Sequence, residues 1–367
     1  MTRRERITSI LNGEPIDRPA WTTLVDDATL SILPEDVRPI TTLEFYRHIG
    51  CDVLQFGNHG LPPSLRVSSP CELRTPGVET HQEKAADGTV TRTQKTPWGT
   101  LTAKVRGGHP VKYPITTPEE LATLTEIWFN STYEEVEGHE KAFARLDEAI
   151  GEAGIYAQTI GPSPVQQLIQ SDIGLENFYY FLQDHTERME GLIAAIHAKR
   201  RVEYEIVALR TPADVIIPVE NTSSNLTSPA IYERYTLPHI AAYVEICHRR
   251  GKKAVLHMCG RLAALLDVIA RTGLDGINAL TPPPTGDVTV EDGLDRLGED
   301  IVILGGVFDE SVFQRPGVTR AEIHRALDTL YTRRVRASNL LLWLVADGLP
   351  TPVDRFLAVR DWMERNG

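Results

Sequence analysis

Residues 253–260 read KAVLHMCG. A short apolar run closes on a histidine, a cysteine two places later and a glycine. Its brevity and its glycine-bounded flanks make it a strand rather than a piece of buried helix. Side chains two apart on a strand project to the same side. His257 and Cys259 are therefore expected to emerge together, with Gly260 allowing the backbone to turn at once. Similar runs lie to either side: IYAQTI (155–160) and DVIIPV (214–219) upstream, then GINAL (276–280), IVILGGV (301–307) and LLLWLVA (340–346) downstream. Helical patterns separate most of them, and such alternation argues for a parallel sheet covered by helices. Adding AWTTLV (20–25) and DVLQFG (52–57) brings the count to about eight, which predicts a single (β/α)8 barrel spanning 1–367. A doubly wound open sheet is the alternative. It is weakened because no GxGxxG opens a helix and no Walker-type loop occurs.

One stretch has a different texture. Between residues 65 and 113 the chain alternates in short, turn-punctuated segments, with Asp87-Gly88 between two of them. That is a hairpin signal, and the region is read as a small antiparallel insert within the barrel domain. The whole chain carries 50 acidic against 38 basic side chains, a formal net charge of -12. An acidic chain repels polyphosphate, which argues against nucleic acid and anionic membranes as partners. The opening residues read as an amphipathic helix rather than a signal peptide, and no run of about 20 apolar residues appears. Four scattered cysteines do not make a disulfide framework. A cytoplasmic, reducing location is expected.

In a parallel barrel, polar residues at the carboxyl ends of the strands line the active site. That rule selects Glu220 and Asn221 after DVIIPV, His257 and Cys259, Asn278 in GINAL, Asp309 after IVILGGV, and Asp347 after LLLWLVA. Histidine nitrogen and cysteine sulfur both bind zinc, at about 2.0 and 2.3 Å. The same pair also suits a histidine bonded to a backbone carbonyl beside an inert thiol. Glu220 follows a strongly apolar strand, where a carboxylate needs a partner. A salt bridge or helix cap would serve as well as a catalytic role.

These segments together resemble the uroporphyrinogen decarboxylase superfamily, and in particular its corrinoid-dependent methyltransferase branch. The resemblance is carried by RERITSILNGEPIDRPAW (4–21), TPWGTL (96–101), LTSPAIYERYTLPHIAAYVEICHRRGKKAVLHMCG (226–260), LGEDIVILGGVFDESVF (297–313) and LPTPVDRF (349–356). The arginine-rich segment with which the decarboxylase grips porphyrin carboxylates is missing, since the chain there reads RPAWTTLVDD. What the resemblance implies is a zinc site holding His257 and Cys259, with Asp347 standing where a further cysteine is expected. Glu220 is a second departure, and the two point to a harder site of Glu220, His257, Cys259 and Asp347, or to none.

The branch implies methyl transfer with a corrinoid supplied by a partner protein. Replacing a soft ligand by carboxylate favours oxygen over sulfur substrates. The leading expectation is accordingly transfer of methyl from a methoxylated, aromatic substrate to a Co(I) corrinoid protein, an O-demethylase reaction. Glu220 would act as ligand or general acid, while Asn221, Asn278 and Asp309 orient the substrate. A methylcobamide:thiol methyltransferase is the alternative. A uroporphyrinogen decarboxylase-like enzyme and a non-catalytic small-molecule binder are the remaining ones. The oligomeric state is open, a homodimer among the options.

Overall fold

The computed structural model describes residues 1–35, 37, 41–306, 310–346 and 350–367. Eight parallel strands make up the central sheet: β1 (Ala20–Val25), β2 (Val53–Phe56), β3 (Gly154–Ile160), β4 (Val215–Pro218), β5 (Lys253–His257), β6 (Gly276–Asn278), β7 (Val302–Gly305) and β8 (Asn339–Ala346). They pair in the order β1-β8-β7-β6-β5-β4-β3-β2. The remaining seam, between β1 and β2, is drawn together at its start. Asp52 donates its N–H to Trp21 O at 2.8 Å and its carboxylate accepts from Trp21 N at 3.1 Å. Buried Asp52 is in turn paired with Arg6 and Arg18. Further along, Leu54 N donates to Thr22 Oγ1, so the sheet is a nearly closed (β/α)8 barrel.

The period-2 alternation of each strand sorts its residues into two layers. Ala20, Leu54, Ile155, Ala157, Val215, Ile217, Val255, Val302, Leu304, Leu341 and Trp343 form one buried cluster, the barrel interior. Trp21, Val53, Tyr156, Ile216, Ala254, Leu256, Ile277, Ile303 and Leu342 belong to another, which packs under the helices. Such predominantly apolar strands are what a sheet covered on both faces requires.

Two antiparallel sheets interrupt the connection from β2 to β3. Cys71–Arg74 pairs with Thr132–Glu135. Four strands, Glu79–Lys84, Val90–Thr96, Gly99–Arg106 and His109–Lys112, form the other. Leu101 anchors that sheet on the helix Pro118–Asn130, in a cluster with Leu121, Leu124 and Trp128. Among the described residues, no helix is long and apolar enough to cross a membrane.

Candidate active site at the barrel mouth

His257 is the last residue of β5 and shares the inward parity of Val255. Its Nδ1 lies 2.7 Å from Asn278 Oδ1 at the end of neighbouring β6. The Asn278 amide nitrogen is engaged elsewhere, donating to Leu304 O at 2.8 Å. The oxygen must therefore face the ring, which makes Nδ1–H the donor and leaves the Nε2 lone pair bare. Burial holds the imidazole below the ordinary histidine pKa, although the Asn278 bond opposes this. Phe56 sits beside it, with ring centroids 5.3 Å apart, and Trp343 stands against Phe56 at 6.0 Å. A neutral base thus stands on an aromatic floor.

Cys259 continues the inward series and is exposed. Its Sγ lies 3.5 Å from Asn221 Oδ1, and the surrounding walls desolvate the sulfur enough to raise its thiol pKa. Asn221 is held in the left-handed region, at φ 44°. Its N–H donates to His257 O at 3.0 Å and its amide nitrogen reaches Gln170 Oε1 at 3.4 Å. The loops after β4 and β5 are joined further along, where Ser224 N donates to Arg261 O at 2.7 Å. Asn221 is thereby fixed over Cys259.

Glu220 stands just beyond the end of β4. It has the parity of Ile216 and Pro218, which faces the helix layer and not the barrel interior. Its carboxylate is fully buried and committed to the neighbouring β3 loop. Ser163 N donates to Oε2 at 2.7 Å and Ser163 Oγ to Oε1 at 2.6 Å, with Thr222 Oγ1 at 3.3 Å from Oε1. Burial pushes its pKa up to about 7, against the pull of those donors. Glu220 ties two loops together. Asn278, also fully buried, has both amide ends occupied. Its oxygen faces the His257 ring. Asp309 and Asp347 lie outside the described residues.

The fit of zinc follows from the donor set. A catalytic zinc takes three protein ligands, and the mouth supplies two, His257 Nε2 and Cys259 Sγ. Among the described residues no three His, Cys, Asp or Glu side chains gather into a metal-holding group. The described residues alone do not fit a zinc centre.

A barrel with a His-x-Cys pair at its mouth, entered between loops zipped by an asparagine, matches a known class. The family model for uroporphyrinogen decarboxylase (URO-D) covers residues 101–337, more than half of the chain, and the chain belongs to that family. Two relatives are "Methylcobamide:CoM methyltransferase MtbA" of Methanosarcina acetivorans and of Methanosarcina mazei, each 27% identical over 140 residues. The match spans 38% of this chain and 40% of either relative. A solved "methyltransferase from Methanosarcina mazei" superposes on 100% of this chain and 99% of its own, with a TM-score of 0.56 at 15% identity. That likeness is one of fold.

Proposed function

We propose that this chain is a corrinoid-dependent methyltransferase that passes a methyl group from a methylated corrinoid, carried by another protein, to a small thiol bound at His257 and Cys259. The observation that carries the reading is the bare Nε2 lone pair of a neutral, oriented His257 beside an exposed cysteine. His257 takes the proton of the substrate thiol. The resulting sulfur attacks the methyl carbon, an S–C bond forms, and the Co–C bond breaks with its electron pair left on cobalt. A thiolate is the stronger nucleophile, so a base at that spot is what the reaction needs. The two methylcobamide:CoM methyltransferase relatives support the same direction. The four cysteines are unpaired, as suits a reducing cytoplasm.

A second reading, removal of methyl from a methoxylated aromatic by Co(I) corrinoid, is favoured by the floor of Phe56 and Trp343. It needs a proton for the departing phenolate. With the Glu220 carboxylate committed to Ser163, the Cys259 thiol is the candidate among the described residues that carries one.

The test uses purified protein with free cobalamins. Methylcobalamin with a panel of small thiols should yield methyl thioether and Co(I), read by its absorbance. Methyl-cobalt formed from Co(I) cobalamin and methoxyaromatics would select the second reading. Tight binding of either class without any methyl transfer would overturn both in favour of a binder. Zinc analysis accompanies it: near-stoichiometric metal lost on His257→Ala would require a third ligand outside the described residues.

A further inference from the structure

Charge is segregated along this chain. Residues 65–113 hold eight Lys and Arg against four Asp and Glu, whereas the rest holds 30 against 46. The basic excess therefore sits on one projecting module of an otherwise acidic protein.

The register of the four-stranded sheet divides these charges between its faces. Lys84 pairs with Val90, and Val90 with Val105. Gln82 pairs with Arg92, and Arg92 with Ala103. Thr80 pairs with Gln94, and Gln94 with Leu101. Directly opposed residues share a face, so Thr80, Gln82, Lys84, Arg92, Gln94 and Val105 lie together. That face bears two bases and no acid. The opposite face mixes Lys95, Lys104, Arg106 and Lys112 with Glu79 and Glu83. On the acid-free face, Lys84, Arg92 and Val105 are all exposed, and Lys84 has no ion-pair partner among the described residues.

The acid-free face also lies on the mouth side of the molecule. At its inner end Leu101 packs on the helix Pro118–Asn130. Leu101 also shares that buried cluster with Leu168 and Ile169 of the segment that follows β3, and while burial pushes the carboxyl of Asp172 in that segment up to about 7, Arg92 is among the cations that oppose the rise. Asp172 ends the segment that follows β3 at the mouth, and it accepts from Ile115 N at 3.1 Å. Gln170 of that segment bonds Asn221, which contacts Cys259. One loop separates the sheet from the reacting groups.

We infer that the face bearing Lys84 and Arg92 docks the protein that carries the corrinoid, through an acidic surface of that partner. This rests on the methyl-transfer reading above, because cobalt on another protein must come to the mouth. Complementary charge accelerates such encounters and fixes their orientation more than it adds affinity. Exposed Val105 and the Gln and Thr side chains between the bases supply contact area around them.

Methylcobalamin tethered to a decaglutamate peptide is the probe, with a decaserine conjugate as its neutral counterpart. The decaglutamate conjugate should show a KM about tenfold lower at low salt, the gain expected from a few exposed charge pairs. The gain should vanish in 0.5 M salt, where the Debye length falls to about 4–5 Å. Lys84→Glu with Arg92→Gln should abolish it. Lys95→Glu with Lys104→Gln, an equal charge change on the other face, should leave most of it. Free methylcobalamin should turn over equally with every variant. Equal KM values for the two conjugates, or equal losses from both pairs of substitutions, would overturn the docking assignment. If free methylcobalamin gives no turnover, the reaction is wrong, and docking is then read from anisotropy of labelled decaglutamate. Tighter binding of a single-stranded RNA of matched charge would assign the face to nucleic acid instead.

Discussion

Two consecutive strands of this barrel end in a chemically promising residue, and they use them in opposite ways. On β5 the final residue, His257, has inward parity and presents a lone pair at the mouth. After β4 the carboxylate of Glu220 has outward parity and is consumed by Ser163 and Thr222. Position at the carboxyl end of a strand brings a side chain to the correct height. Whether it meets substrate depends on a single step of alternation.

Matched substitutions expose that difference most sharply. His257→Gln keeps a polar side chain but loses the base, and turnover should fall by about 10²- to 10⁴-fold with the fold intact by circular dichroism. Glu220→Gln should stay within about threefold of the parent rate, since a residue outside the mouth has no proton to give the reaction. Its amide can still accept from Ser163 N–H and donate to Ser163 Oγ. A drop at Glu220→Gln as large as that at His257→Gln would restore the acid to the mouth and break the comparison.

Asn278 tests whether His257 works through its tautomer. Asn278→Ala should cost about 10- to 100-fold in kcat, as loss of an orienting partner does, with KM little changed. Asn278→Asp should keep the orientation and raise the histidine pKa. The acid limb of the kcat profile, which in the parent lies below pH 6.5 because burial depresses His257, should then move to higher pH. An unmoved limb would mean that another group titrates.

The same pair predicts opposed effects of pH on stability. Glu220 has a folded pKa of about 7 against an ordinary 4.5, so the folded state holds its proton longer. Its contribution is fully present below pH 4.5 and is lost as pH rises to about 7, on the order of 3 kcal/mol in all. Relative to Glu220→Gln, the parent should therefore weaken across that window in urea titrations. His257 is depressed, so the unfolded state binds protons more readily, and stability should rise with pH up to about 6.5 relative to His257→Gln. Parallel slopes for the two variants would contradict the buried environment of one of them. Glu220→Ala, which strands Ser163 N–H, should cost the most below pH 4.5 and progressively less as pH rises to about 7, with the lost hydrogen bonds worth about 1–3 kcal/mol.

The barrel was legible because its signal is redundant. Every strand from Ile155 to Ala346 is an apolar run, and misreading one would not change the fold class. The pair of His257 and Cys259 was legible because a two-residue spacing fixes their relation whatever the absolute parity. For Glu220 the absolute parity mattered, and DVIIPV is apolar at every strand position, so neither face of it is marked by polar residues. A hint was present in Ser163, which also follows a strand. Two polar groups on adjacent strand ends are candidates to satisfy each other before they satisfy a substrate. The sequence marks Asn278 as a polar residue at a strand end, but only coordinates reveal that Leu304 O holds its amide nitrogen. Phe56 and Trp343 carry no such mark, because aromatic residues in a strand read as core.

The smallest effect separates the two loops at the point where they meet. Asn221 stands at φ 44°, a conformation that asparagine tolerates better than residues with longer or branched side chains. Asn221→Gly frees that backbone and should leave stability within about 1 kcal/mol of the parent, whereas Asn221→Ala should lose about 1–2 kcal/mol. Both remove the contact from the amide oxygen to Cys259 Sγ. If Asn221 only shapes the turn, the glycine variant will keep the parental rate and the alanine variant will lose stability alone. If the amide positions the thiol, both will lose the same several-fold in kcat, and the alkylation rate of Cys259 by iodoacetamide will shift equally in the two. The second result is the expected one. The amide is held from its other end by Gln170 Oε1, which leaves the oxygen directed at sulfur, and a glycine would have met the backbone geometry at lower cost.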